Sequence, residues 1–216
     1  MNILQLLFYK DLPKDFLYTY GEYIHKQKRL RNGWLTAKIA NGFTFFLHPQ
    51  YVHFSVPAVM KITEAEDGKF MLKIRGGKKI IYAADGRQLT PFDKHTHLYP
   101  NGWYQYMEND TLSLYNNKEE CICSKLRYSR VYKNGMYLAN IATGGDARLA
   151  GLFSAEGQKL LFTNSKKVTI LPNGWFVSDH TLYDNLGNVY LEPIPQRKIP
   201  NWMLCLAGLL MRQKTL

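Results

Sequence analysis

Short runs of alternating apolar and polar residues fill this chain, and small turn residues separate them. Leu182-Tyr183-Asp184-Asn185-Leu186-Gly187-Asn188-Val189-Tyr190-Leu191 shows the pattern whole. The segments from Ile81 to Leu89 (turning at Asp85-Gly86) and from Leu152 to Leu160 (turning at Glu156-Gly157) have the same shape. Such runs are half-buried strands joined by tight turns. The runs at Val59–Ile62, Thr96–Tyr99, Tyr128–Tyr132 and Val168–Leu171 are β-branched, aromatic or alternating, as strands are. Each leads into a turn dipeptide and then a large pair: Asp67-Gly68-Lys69-Phe70, Asn101-Gly102-Trp103-Tyr104, Asn134-Gly135-Met136-Tyr137 and Asn173-Gly174-Trp175-Phe176. Asn32-Gly33-Trp34-Leu35 is the first of the series.

The five glycines, Gly33, Gly68, Gly102, Gly135 and Gly174, lie 33 to 39 residues apart. A period in that range signals a repeat architecture. Asn-Gly and Asp-Gly suit type I′ hairpin turns, which need positive φ at both central residues. One unit then reads as strand, NG turn, strand, looser turn, strand, Gly turn and last strand. In the third unit Asn116-Asn117-Lys118-Glu119 stands at the Gly turn without its glycine, and in the first His48-Pro49-Gln50 does the turning.

The predicted fold class is all-β. Five repeats of about 35 residues form a propeller-like ring of short antiparallel blades within a single domain, residues 1–216. The alternative is an open β-repeat solenoid. The segment Phe16–Ile24 either adds a strand that completes the last blade or forms a short helix after Pro13. The large residue after each NG turn is expected to pack between units, so Trp103 and Trp175 should be buried.

Turn, aromatic and second glycine turn at this period resemble the WG-type β-repeats of bacterial proteins, over roughly residues 28–193. The match departs from that pattern: glycine precedes the tryptophan, and units two and four carry Lys69-Phe70 and Met136-Tyr137. The resemblance implies a binding or structural scaffold.

The chain of 216 residues is 46 % hydrophobic and 14 % aromatic, which excludes a disordered polymer. Lys and Arg number 28 against 17 Asp and Glu, a formal charge of +11. Basic residues recur at similar places in the units: Lys26, Lys28, Arg29 and Arg31; Lys73, Arg75, Lys78 and Lys79; Lys125, Arg127, Arg130 and Lys133; Lys166 and Lys167; Arg197 and Lys198. Clusters brought to one face would hold a polyanion, with Arg29, Arg31, Lys78, Lys79, Arg127, Arg130, Lys166 and Lys167 as its contacts. No helix-turn-helix, zinc-finger or RNP-like signature accompanies them.

Cys121, Cys123 and Cys205 form no disulfide framework, and the N-terminus lacks the features of a signal peptide, so the expected location is cytoplasmic. Trp202–Met211 is uncharged and too short to span a bilayer. It predicts a C-terminal helix over 200–212 docked on the body, with membrane contact the less favoured reading.

The chemical motifs are weak. His95-Thr96-His97 and Cys121-Ile122-Cys123 each put two ligand types on one strand face but lack finger spacing. Ser178-Asp179-His180 has only the composition of a triad, and Arg75-Gly76-Gly77-Lys78 and Thr143-Gly144-Gly145-Asp146 lack Walker spacing. The sequence thus predicts no catalytic residue, no metal and no cofactor. Its expected role is non-catalytic binding of a protein or glycan. The alternatives are polyanion binding, nucleic acid included, or an enzyme whose site is not legible.

Overall fold

In the computed structural model, residues 13–141, 150–163 and 168–191 are described. The protein is all-β, with one short α-helix among those residues. The chain divides into two compact units, Met1–Cys121 and Ile122–Leu216.

The first unit opens with helix α1 (Lys14–Tyr20) and a 3-10 turn, Gly21–Tyr23. The helical alternative therefore holds for this segment, and Phe16–Ile24 is not a blade strand; only Ile24 enters one. Strands β1 (Ile24–Arg29), β2 (Leu35–Ile39), β3 (Phe43–Leu47) and β4 (Phe54–Pro57) form a meander in that order. The second sheet is β5 (Val59–Glu64), β6 (Phe70–Ile74) and β7 (Lys79–Tyr82). A bridge from Tyr82 to Gln88 begins a fourth strand position. In the third, β8 (His97–Leu98), β9 (Tyr104–Glu108) and β10 (Thr111–Tyr115) pair antiparallel.

The second unit holds β11 (Cys121–Val131, whose first residue belongs to the first unit), β12 (Tyr137–Ile141), β13 (Ala150–Phe153) and β14 (Lys159–Thr163), paired in sequence order. A last sheet runs β15 (Val168–Ile170), β16 (Phe176–Ser178), β17 (Thr181–Tyr183) and β18 (Val189–Leu191).

The NG turns have a different geometry from the expected one. At Leu30–Trp34 the Gly33 N–H donates to the Leu30 carbonyl (3.1 Å) and the Leu30 N–H to the Trp34 carbonyl (2.7 Å). Gly33 is at φ +95°, while Asn32 is not at positive φ. This is a three-residue loop with glycine at the left-handed bulge, not a two-residue type I′ turn. The same pair of bonds recurs at Ala65–Lys69, Tyr99–Trp103, Tyr132–Met136 and Leu171–Trp175. In all five the Asn or Asp side chain accepts the N–H two residues on, which explains its presence before the glycine. Positive φ at both central residues occurs instead at Asn109-Asp110 and Asp179-His180, the two-residue turns after β9 and β16. Asp179-His180 is thus a hairpin turn.

A register rule governs the packing. Within each unit, the second residue of a pair points toward the preceding repeat, as Phe70, Tyr104 and Phe176 do, and the next residue toward the following one, as Met71 and Leu138 do. Phe70 and Leu72 join Trp34, Phe46 and Val56 in one core, while Met71 and Ile81 join Leu98 and Tyr104 in the next. In the second unit Phe176 packs with Leu138 and Leu152. The first repeat has no predecessor, and α1 covers that face: Phe16 and Tyr20 lie 5.1 and 5.0 Å from the Phe45 ring, over Ala37, Ile39 and Leu47.

Trp34 and Trp103 are buried as expected, but Trp175 is only half-buried; Phe176 carries the burial in that repeat. Lys69 is buried where its counterparts are Trp or Met. Its ammonium is held by the Asp67 carboxylate and the Asn117 carbonyl (2.7 Å), so its charge is compensated where its stem packs.

Candidate functional site

The first two sheets meet at two ends of unlike character. At the NG-turn end, polar groups are tied from one repeat to the next. Asn32 Nδ2 donates to the Gly68 carbonyl (2.7 Å), and Trp34 Nε1 to the Ala84 carbonyl (2.8 Å). Glu64 accepts from Lys28 Nζ (2.8 Å) and from the Arg31 N–H (2.6 Å). Burial pushes the Glu64 carboxyl up, but these two hydrogen bonds and the charges of Lys28 and Arg31 outweigh it and hold the group below its ordinary range. The row continues with the Glu66 N–H on the Pro100 carbonyl (2.8 Å) and Arg87 Nη2 donating to both Glu119 carboxylate oxygens (2.9 Å each).

At the far end of the same two sheets lies a cavity of about 210 Å³ lined by Lys26, Lys28, Lys38, Lys61, Thr36 and Thr44 with Val59, Met60 and Ile62. The register builds it. Lys26 stands directly opposite Lys38, and Lys38 opposite Thr44, so β1, β2 and β3 each give one residue to a row. Lys61 of β5 lies at the rim, on the strand face that carries Thr63 and is opposite Ile62 and Leu72 of the seam core. Lys28 is committed to Glu64, and the Thr36 hydroxyl to the Lys28 carbonyl (3.1 Å). Lys38 Nζ has one long contact, 3.5 Å, to the Val59 carbonyl. The Thr44 hydroxyl is buried with no partner among the described residues. No carboxylate lines the groove.

The residues singled out from the sequence are not collected in this groove. Arg29 and Arg31 sit at the NG-turn end, and Lys78 and Lys79 at the other end of their sheet, beside the Gly76-Gly77 turn. Lys79 is tied to the Thr96 carbonyl (3.0 Å). In the second unit Arg127 and Arg130 are exposed on β11, with Arg130 5.2 Å over the Tyr132 ring. Lys166, Lys167, Cys205, the 200–212 helix and the Thr143–Asp146 loop lie outside the described residues. Sequence reading missed Lys38 as the partner of Lys26. It stands alone in the sequence, yet the NG-turn register fixes it opposite Lys26.

Other titrating groups move away from neutral pH. Burial pushes the Tyr104 and Tyr137 phenols up to about 12. Tyr115 moves further in that direction, through burial and its hydrogen bond with Tyr106. Burial, then the charge of Lys79, lowers His97. Among the described residues no three of His, Cys, Asp and Glu gather as metal ligands; His95 lies in a loop, His97 on β8 and Cys121 and Cys123 on β11. No helix among them is long and apolar enough to cross a membrane.

No protein-family model matches the chain, and no curated protein does. It is similar to solved structures at low identity. The WD40 β-propeller domain of Doa1 aligns with 75 % of this chain and 65 % of its own, at 14 % identity and a TM-score of 0.32. The computationally designed Ika8 protein aligns over 78 % and 60 %, at 12 % and 0.35. Virginiamycin B lyase from Staphylococcus aureus aligns over 83 % and 71 %, at 12 % and 0.32. The chain spans less than two thirds of the length of the first two. At these scores the likeness carries neither ring closure nor an activity.

Proposed function

We propose that this protein is a non-catalytic β-repeat binding scaffold whose partner is anionic and is held at the lysine groove between the first two sheets. The observation that carries the reading is the facing pair Lys26 and Lys38 in one cavity with no lining carboxylate. Arg29, Arg31 and Lys78 of the same unit add to the positive field around it. An open stack of the five units belongs to the same proposal: the shared period and meander topology support a repeat array, and α1 covers the face of the first sheet that a ring would pack against the fifth. A second reading, a protein or glycan partner, is favoured by exposed apolar residues of the last sheet: Leu186, Val189, Tyr190 and Leu191.

The test is a heparin titration at about 50 mM salt, repeated as salt rises. Binding should weaken linearly on a double-logarithmic plot, and the Lys26→Gln/Lys38→Gln/Lys61→Gln variant should lose most of it. Arg29→Gln/Arg31→Gln should only flatten the slope. No binding by the wild type, or full binding by the triple variant, would reject the groove as the anion site.

A further inference from the structure

We propose that the groove is a discrete site for one terminal phosphate group, a phosphate monoester on a soluble ligand, and not a track for a polymer backbone. This rests on the anionic-partner reading and narrows it. Lys26 and Lys38 face each other across adjacent strands, an arrangement of like charges that destabilises a sheet unless a counter-charge lies between them. Lys28 is withdrawn by Glu64, and Lys61 reaches the rim from β5 on the strand face opposite Ile62, which leaves Lys26 and Lys38 as the facing pair. Thr44 is 4 % exposed, and its hydroxyl is buried without a partner. Native structures seldom leave a buried hydroxyl unpaired, because its lost hydration is uncompensated. It lies in the lysine row, opposite Lys38, where a small shift of the side chain would let it donate to a bound oxygen.

Charge and size select the ligand. A phosphate monoester carries roughly 1.5 to 2 negative charges at pH 7 and offers three acceptor oxygens. Two facing lysines with no carboxylate in the lining and one hydroxyl match that. A diester within a nucleic-acid backbone carries a single charge and has two substituents to accommodate. A cavity of about 210 Å³ takes a phosphate with a few attached atoms. The walls are β-strands whose registers are fixed by the bonded turns at their other end, so the site is preorganised.

Inorganic phosphate is the first probe, titrated into the full chain at an ionic strength held constant with chloride, with melting temperature and calorimetric heat as readouts. The expected result is a saturable rise in melting temperature and one-to-one binding. Binding should be tighter at pH 7.5 than at pH 5.5, because the second phosphate ionisation lies near 6. Lys26→Gln and Lys38→Gln should each weaken binding about tenfold, the size of one charge-assisted hydrogen bond. Thr44→Val should weaken it several-fold without lowering the melting temperature of the unliganded protein, since it removes an unpaired hydroxyl. Dimethyl phosphate, a monoanionic diester, should bind at least about tenfold more weakly.

A response to phosphate no larger than that to chloride would overturn the inference. So would an undiminished response in the two lysine variants, or equal binding of the diester. If heparin binds through Lys26 and Lys38 while phosphate does not, the anionic-partner reading stands and this one falls; if neither binds, both fall. Vesicles containing phosphatidic acid identify the source of the ester. Sedimentation with them that Lys38→Gln abolishes would keep the site chemistry but overturn the soluble ligand. Phosphate binding without sedimentation supports the soluble ligand.

Discussion

The two ends of the seam between the first and second sheets are made from the same strands and behave as opposites. At the NG-turn end Asn32, Trp34 and Glu64 each reach into the neighbouring repeat and find a partner. At the far end Lys26 and Lys38 face each other without a carboxylate, and the Thr44 hydroxyl is left over. One end spends its polar groups on joining repeats, and the other keeps them for something else. A strand only five or six residues long can serve both roles because its period of two puts core and groove residues on one face at different heights. Lys26 and Lys28 thus share the face of β1 that looks toward the second sheet, and Thr36 and Lys38 that of β2.

The largest expected effect breaks the joined end. Trp34 is fully buried, sits in the core shared with Phe46 and Phe70, and donates to Ala84. Trp34→Ala should cost about 3 to 5 kcal/mol by chemical denaturation. A loss below about 1 kcal/mol, the scale of a surface change, would mean that the seam is not the core of the unit. Trp175→Ala should cost distinctly less, because Trp175 is half-exposed against Tyr190.

Two glycines sharpen the contrast. Gly86 at the joined end and Gly76 at the far end of the second sheet have the same φ within a degree, +87° and +86°. Alanine at either bears the left-handed backbone penalty of roughly 1 to 2 kcal/mol. At Gly86 the new Cβ would also stand 2.5 Å from the Trp34 ring, while at Gly76 it meets nothing within 4 Å. Gly86→Ala should therefore destabilise by about 2 kcal/mol more than Gly76→Ala, on the scale of an overpacked core. Equal losses in the two melts would place the seam wrongly.

Much of the frame was legible because turn chemistry is local. The period, the all-β class and the order of turns within a unit follow from Asn, Asp, Gly and the residues beside them. The turn subtype was not, since Asn-Gly serves both a two-residue turn and a bulged three-residue loop, and bonds to the flanking strands decide between them. Asn41-Gly42, which joins β2 to β3, passed unnoticed because no aromatic pair follows it. The groove was legible only in part. Basic residues adjacent in sequence, such as Lys78 and Lys79, draw the eye, whereas cross-strand register assembles Lys26 and Lys38. Trp175 was misjudged for a related reason: burial after the turn depends on a neighbouring repeat reaching over it.

A smaller effect comes from acid. Glu64 titrates below its ordinary value of 4.5 in the folded protein, so its contribution is fully present above that value and is lost as pH falls through the lower folded one. His97 is lowered too, so it adds stability that is complete above its ordinary value of 6.5 and fades as pH falls through its folded value. Melting temperatures should decline from about pH 6 downward, and Glu64→Gln should remove the lower part of that decline while costing about 1 kcal/mol or less at pH 7. An unchanged acid limb in Glu64→Gln would show that the ion pair does not link the sheets.

The division of labour between the two ends is tested most directly by running one thermal melt and one heparin titration on each of two variants, Asn32→Ala and Lys38→Gln. Asn32→Ala removes the bond to Gly68 and the turn's own cap, and should cost about 1 to 2 kcal/mol while leaving binding intact. Lys38→Gln should leave stability within about 0.5 kcal/mol, or raise it slightly as Lys26 loses its like-charged neighbour, while reducing binding several-fold. The reverse outcome, with Lys38→Gln unfolding the protein more readily and binding heparin as well as the wild type, would contradict the account.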